Sequence, residues 1–217
     1  MTDKPAPRRI AAFTIWLSLA LALSVPVAIA ATNPFLEGRN FAYLLAGFAG
    51  IICLALFLVQ PLLAAGYLPS LQGPKGRKWH RRLGWAIVLA VLLHVGGLYI
   101  TSPPDTIDAL LLVSPTPFSV YGVIAMWGVI VTAFLAALRG RLGLGYVNWK
   151  ILHNTLVFTV IAATVIHALQ IEGTMGTASK WALCVGVLIA SGATLLDLWL
   201  FKPLIRRRAR ARRLALE

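Results

Sequence analysis

The sequence predicts an all-α membrane protein, a six-transmembrane-helix bundle with its N- and C-termini in the cytoplasm. Of its 217 residues, 59% are hydrophobic and only 12% charged, and the mean hydropathy of +0.81 lies far above that of a soluble domain. The apolar residues gather into six runs, each long enough to cross about 30 Å of hydrocarbon. The cations are sorted by side: of the 20 Lys and Arg residues, 18 fall on one set of loops and tails and only Arg39 and Lys180 on the other. Under the positive-inside rule the basic set is cytoplasmic.

The first run, 10–31, follows the basic leader Lys4, Arg8 and Arg9 and ends in Ala28-Ile29-Ala30, the small-residue form of a signal-peptide cleavage site. Its apolar stretch of about 22 residues exceeds a signal core and suffices to span, so it is read as a membrane helix. The second run is 41–65. The third, 78–101, emerges from the basic segment 75–82, and the fourth, 118–138, stops at Arg139 and Arg141. The fifth is 146–171; the sixth, 181–201, ends where Lys202-Pro203 breaks the helix. The expected organisation is a cytoplasmic N-terminus over 1–9, one six-helix membrane domain over 10–203, and a basic cytoplasmic tail over 204–217.

All four histidines fall into two pairs with one spacing: His80 and His94 on the third run, His153 and His167 on the fifth, each separated by 14 residues. At 1.5 Å and 100° per residue, the second ring of each pair lies roughly 21 Å along the helix axis and about 40° around it from the first. The third and fifth runs both travel from cytoplasm to exterior, so histidines at equal depth can meet. His80 is expected to pair with His153 near the cytoplasmic surface, and His94 with His167 near the outer one. A lone buried histidine is usually a hydrogen-bonded core residue or a proton relay. Four at once, at matched depths with none left over, point instead to axial ligation of two b-type haems, His80/His153 holding the inner iron and His94/His167 the outer. Zinc or copper would call for one compact site rather than two separated pairs.

These residues resemble the ferric reductase-like transmembrane domain of eukaryotic ferric-chelate reductases, NADPH oxidases and the MsrQ-type haem-binding subunit of bacterial methionine sulfoxide repair. The likeness is most specific in HRRLGW followed by His94 and in LHN followed by His167. It implies a diheme b-type cytochrome whose axial ligands are the four histidines. The MsrQ-type subunits carry a non-histidine residue where His80 stands, a departure that favours two complete haem sites here. The oxidases and reductases continue after their sixth helix into a flavin and nicotinamide domain. In this sequence about 16 residues follow Phe201, far below the roughly 50 residues of a small folded domain. Electrons are therefore expected from a separate flavin reductase, a bound flavin (FMN or FAD) at the cytoplasmic face, or membrane quinol.

The remaining motifs carry smaller expectations. Gly140, Gly143 and Gly145 lack a preceding strand and an acidic partner at Rossmann distance, so they are read as a short turn. Arg81 and Arg82 stand at the depth where an inner haem presents its propionates, although the positive-inside rule alone also places them there. The net charge of +13 and the tail RRRARARR suit anionic lipid rather than nucleic acid, which is not expected as a partner. Gly84, Gly96 and Gly97 suit close approach of a porphyrin or of a neighbouring helix. Phe158 and Trp127, at mid-depth, are candidates to lie between the haems, with plain packing the commoner role. Asp197 is expected to pair with a basic neighbour, proton uptake or quinol binding being the alternatives. Cys53 and Cys184 read as small buried apolar residues. The outer connection 102–117, with four prolines, is expected to form an interfacial lid.

The predicted function is electron transfer across the inner membrane, from the cytoplasmic donor to ferric iron, a periplasmic oxidoreductase partner or oxygen, by a chain acting as an oxidoreductase component. Two other functions fit the same sequence: a quinol-oxidising cytochrome b subunit, and a proton-coupled transporter or assembly factor whose histidines titrate.

Overall fold

The structure is a computed structural model, described here for residues 6–205; the extreme N-terminus and the arginine-rich tail lie outside the described residues. Those described form seven α-helices with no strand: α1 (Ala6–Ala31), α2 (Phe41–Ala65), α3 (Gly73–Thr101), α4 (Pro103–Leu110), α5 (Pro117–Leu138), α6 (Tyr146–Gln170) and α7 (Thr177–Leu196). A π-helical turn, Asp197–Phe201, continues α7. All but α4 are long and apolar enough to cross a membrane, so the chain is a multi-pass membrane protein.

Local chemistry sets the helix ends. Asn40 precedes α2, its Oδ1 accepting the Tyr43 N–H at 2.8 Å, and Gly66 at φ +74° ends that helix in the left-handed conformation. Prolines open α3, α4 and α5, where the missing N–H costs no helical hydrogen bond. The helix of α3 begins at Gly73, ahead of the predicted run at 78, because Pro74 starts the helix whereas hydropathy marks only the part suited to lipid. For the same reason α7 starts at Thr177 rather than 181. The glycine-rich segment 139–145 is a turn, with Gly143 at φ +60°.

The helices pack as α3 along α2 and α6 along α5, with α7 against α2 and α6, and α1 against α2 and α7. The shared core includes Leu54, Phe57, Ile87, Val160, Cys184 and Val187; Cys53 is also buried, so both cysteines are the small core residues expected. Large apolar side chains such as Trp85, Leu89, Phe134 and Ile189 stay exposed, the surface expected where lipid is the solvent.

Glycine permits the two main helix contacts. A Cβ on Gly97 would lie 2.7 Å from the Ala42 carbonyl oxygen, and one on Gly128 2.5 Å from Val160 Cγ2. Gly97 thus serves helix packing, while Gly96 faces open space and Gly84 meets only the Gln60 amide at 3.5 Å. α3 and α6 are not among the closely packed pairs. The side chains between them are therefore decisive.

Each end of the bundle is tied by polar contacts. At one, Asp197 Oδ2 accepts from Tyr67 Oη at 2.8 Å and pairs with Lys202 Nζ at 2.9 Å, and Lys202 also reaches the Ala65 carbonyl at 2.9 Å. The π turn helps, since it brings residues five apart onto one face. Asp197 thus has the basic partner expected of it. At the opposite end, Asn33 Nδ2 donates to Gly173 and Thr174 carbonyls at 3.2 and 2.9 Å, and the buried Lys180 Nζ donates to the Ile171 carbonyl. Here the connection 102–117 contains the short helix α4, followed by exposed Leu111, Leu112 and Val113.

Candidate functional site

The four histidines meet in the two predicted pairs, between α3 and α6. His80 and His153 have ring centroids 6.2 Å apart with planes crossing at 76°; His94 and His167 are 6.3 Å apart at 83°. The first pair lies toward the end tied by Asp197, the second toward the end tied by Asn33. Equal sequence spacing on two helices has become equal depth.

Backbone carbonyls orient three of the four rings. The Nδ1 of His94 lies 2.8 Å from the Ala46 carbonyl oxygen, that of His167 2.8 Å from the Phe118 carbonyl, and that of His80 3.2 Å from the Gln60 carbonyl. Each contact fixes the tautomer with the proton on Nδ1 and leaves Nε2 with its lone pair available to a metal. Gln60 grips His80 twice, its Nε2 donating to the His80 carbonyl at 3.3 Å.

His153 differs. Its Nδ1 is buried with no hydrogen-bond partner among the described residues. The ring is held by stacking on Trp149, one helical turn earlier, with centroids 5.1 Å apart and planes 20° from parallel. Arg139 lies over the same indole at 5.3 Å from Cζ to the ring centre.

Two glycines make room for the second pair, and sequence reasoning missed both. In a helix the Cβ of residue i+4 tilts back toward the carbonyl of residue i. Gly50 stands four residues after Ala46, and Gly122 four after Phe118. A Cβ on Gly50 would fall 3.0 Å from His94 Nδ1, and one on Gly122 would fall 2.7 Å from His167 Cε1 and 2.8 Å from its Nδ1. The signal was available as a small residue at the matching register on each supporting helix, but only the pairing of helices identifies it.

The donor set fits axially ligated iron. A metal about 2 Å from each of two imidazole nitrogens, with about 1.15 Å more to each ring centre, puts the centroids about 6.3 Å apart. Both pairs have that spacing, and the loose packing of α3 on α6 suits a flat ligand between them. No group of three or more His, Cys, Asp or Glu side chains among the described residues could hold a metal ion, so the donors do not suit a compact zinc or copper centre.

The other predicted residues lie outside the two ring pairs. Arg81 and Arg82 are exposed on the first turns of α3, with Arg82 Cζ 5.2 Å from the Trp79 ring centre. Lys150 donates to the Leu198 carbonyl at 3.0 Å and lies over Trp199. Phe158 does not lie between the pairs: it lines a groove of about 390 Å³ between α6 and α7 with Asn154, Leu195 and Trp199. Trp127 is likewise exposed.

Residues 46–164, more than half of the chain, match the family described as the ferric reductase like transmembrane component. No curated protein and no solved structure matches the chain.

Proposed function

The chain belongs to the ferric reductase like transmembrane component family, and on that premise we propose that it conducts electrons across a bilayer as a diheme b-type cytochrome. Family membership itself points to transmembrane electron transfer. The observation that carries the finer reading is the pairing of all four histidines, at 6.2 and 6.3 Å, on two helices that otherwise hardly touch. In this reading His80 and His153 hold an inner haem, and His94 and His167 an outer one. When bound, the haems supply two one-electron carriers stacked across the membrane.

The chain's own residues orient, cover and shield. The Ala46, Phe118 and Gln60 carbonyls hold three imidazoles by Nδ1, so that Nε2 faces the ligand, and Trp149 braces the fourth. Six apolar helices keep the path between the pairs dry, which raises the electrostatic cost of stray charge. Arg81 and Arg82 are proposed to meet the carboxylates of the inner haem. α4 and the 111–113 segment are proposed to cover the outer end from the membrane interface, a role supported by the exposed Leu111, Leu112 and Val113.

Charge supports the direction. The His80/His153 end carries Lys75, Arg77, Lys78, Arg81, Arg82, Arg139, Arg141 and Lys150, a basic bias that supports a cytoplasmic placement of that end, in the inner membrane of this reading. The donor there is a flavin reductase, a bound FMN or FAD, or quinol, and the acceptor outside is ferric iron or an oxidoreductase partner.

The deciding experiment is a haem-quantified, dithionite-reduced minus oxidised spectrum of protein purified after haem-replete expression. The expected result is about two b-type haems per chain. Colourless protein would defeat the proposal and favour titrating histidines in a transporter.

A further inference from the structure

Resting on the diheme reading, we infer that the two histidine sites are electronically unequal, with the His94/His167 site the lower in reduction potential and Gly50 and Gly122 the positioning residues that make it so. Hydrogen bonding from Nδ1 to an acceptor makes an imidazole a more basic ligand, and a more basic ligand favours the oxidised, more positive iron.

The two sites differ in this respect on both of their rings. In the outer pair each Nδ1 is 2.8 Å from a helix carbonyl, Ala46 for His94 and Phe118 for His167. In the inner pair His80 makes the longer 3.2 Å contact to Gln60, and the buried Nδ1 of His153 has no partner among the described residues. Glycine enforces the difference, because a methyl group at 50 or 122 would intrude within 3.0 Å of the donor ring.

Fixed charge acts in the same sense. Around the inner pair stand Arg77, Lys78, Arg81 and Arg82 on the first turns of α3, with Lys150 on α6 and Arg139 over the indole that stacks on His153. Positive charge favours the reduced site. Beyond the outer pair Glu172 and Lys180 oppose one another in sign, and α4 adds Asp105 and Asp108. The outer site is therefore the stronger reductant, which suits delivery to an external acceptor.

The test is a spectroelectrochemical titration of the haem-loaded protein in lipid nanodiscs, with His94→Ala to identify the outer component. Two resolved midpoints are expected, with the lower one missing from His94→Ala. In Gly122→Ala the contact of His167 to Phe118 is broken, and the lower midpoint should move upward while the higher one stays. Coincident midpoints, or loss of the higher component in His94→Ala, would overturn the inference with the diheme reading intact. Should Gly122→Ala lose the outer haem, the order of midpoints in the parent protein and in His94→Ala still decides. Protein that binds no haem overturns the reading beneath it, and this inference with it.

Discussion

The Trp149 indole lies nearly flat on the His153 imidazole, 5.1 Å between ring centres and 20° between planes. It is the contact that stands in for a hydrogen bond at His153, whose Nδ1 bonds to nothing among the described residues. The other three histidines are each tied to a backbone carbonyl, which remains whatever side chain its own residue carries. Among the four rings His153 is therefore the one whose orientation rests on a side chain.

Trp149→Ala is expected to lower haem content from about two toward one per chain, because loss of an orienting partner typically costs roughly 10- to 100-fold in metal-site affinity. Trp149→Phe preserves a stacking face and should hold both haems. Haem per protein, measured by pyridine haemochrome, checks the pair; equal retention by the Ala and Phe variants would show that stacking does not hold His153.

Replacing His94 or His167 by Ala should each remove the same haem, and replacing both should remove no more than either alone. Shared ligation makes the substitutions non-additive. Optical quantification of the single and double variants checks this. Loss of both haems in the double variant and one in each single would mean that the rings serve different groups.

Much of this arrangement was legible before the structure. Histidine is chemically distinctive, its spacing is a whole number of near-turns, and charge sorting makes the two carrying helices parallel. The supports were not legible, because the acceptors at 46, 60 and 118 are backbone carbonyls, which every residue has. Their sequence trace is confined to small residues one turn later, such as Gly50 and Gly122. The face of Phe158 was left open because depth says nothing of it: five residues after His153, it lies about 140° around the helix and lines the groove beside α7. The helix α4 was hidden by four prolines that read as loop, although two of them sit in its first turn, where proline is tolerated.

Gly97→Val should destabilise the fold, because its Cβ would meet the Ala42 carbonyl at 2.7 Å and the Ala46 methyl at 2.9 Å. Overpacking of this kind costs about 1–3 kcal/mol. Gly96→Val, facing open space, is the control. Thermal unfolding in detergent, followed by circular dichroism, should separate the two; equal midpoints would contradict the close approach of α2 and α3.

Tyr67 lies between the membrane-spanning helices α2 and α3, and its phenol is raised above the ordinary tyrosine range, first by desolvation and then by Asp197, whose carboxylate it contacts. A raised folded pKa means that the neutral phenol stabilises the fold fully below the unfolded value, about 10, and that this contribution disappears as pH rises through the folded value. Ultraviolet titration should therefore show one late-ionising tyrosine, shifted down in Asp197→Asn. An unchanged titration in that variant would show that Asp197 does not act on the phenol.

The crossing of the ring planes, 76° and 83°, makes a spectroscopic prediction independent of haem count. When two axial imidazoles lie parallel they interact with the same iron d orbital and split the pair strongly; near-perpendicular rings load both orbitals alike and leave them nearly degenerate. Low-spin ferric haem between crossed rings should then give strongly anisotropic paramagnetic resonance, with one dominant low-field feature rather than a resolved rhombic triplet. Both sites should behave alike in this, even while differing in potential, because orientation and hydrogen bonding are set by different contacts. A rhombic spectrum from one site would mean that its rings rotate on binding, and His153, which has no Nδ1 tether, is the ring free to do so; Trp149→Phe should then change that signal and leave the His94/His167 signal untouched.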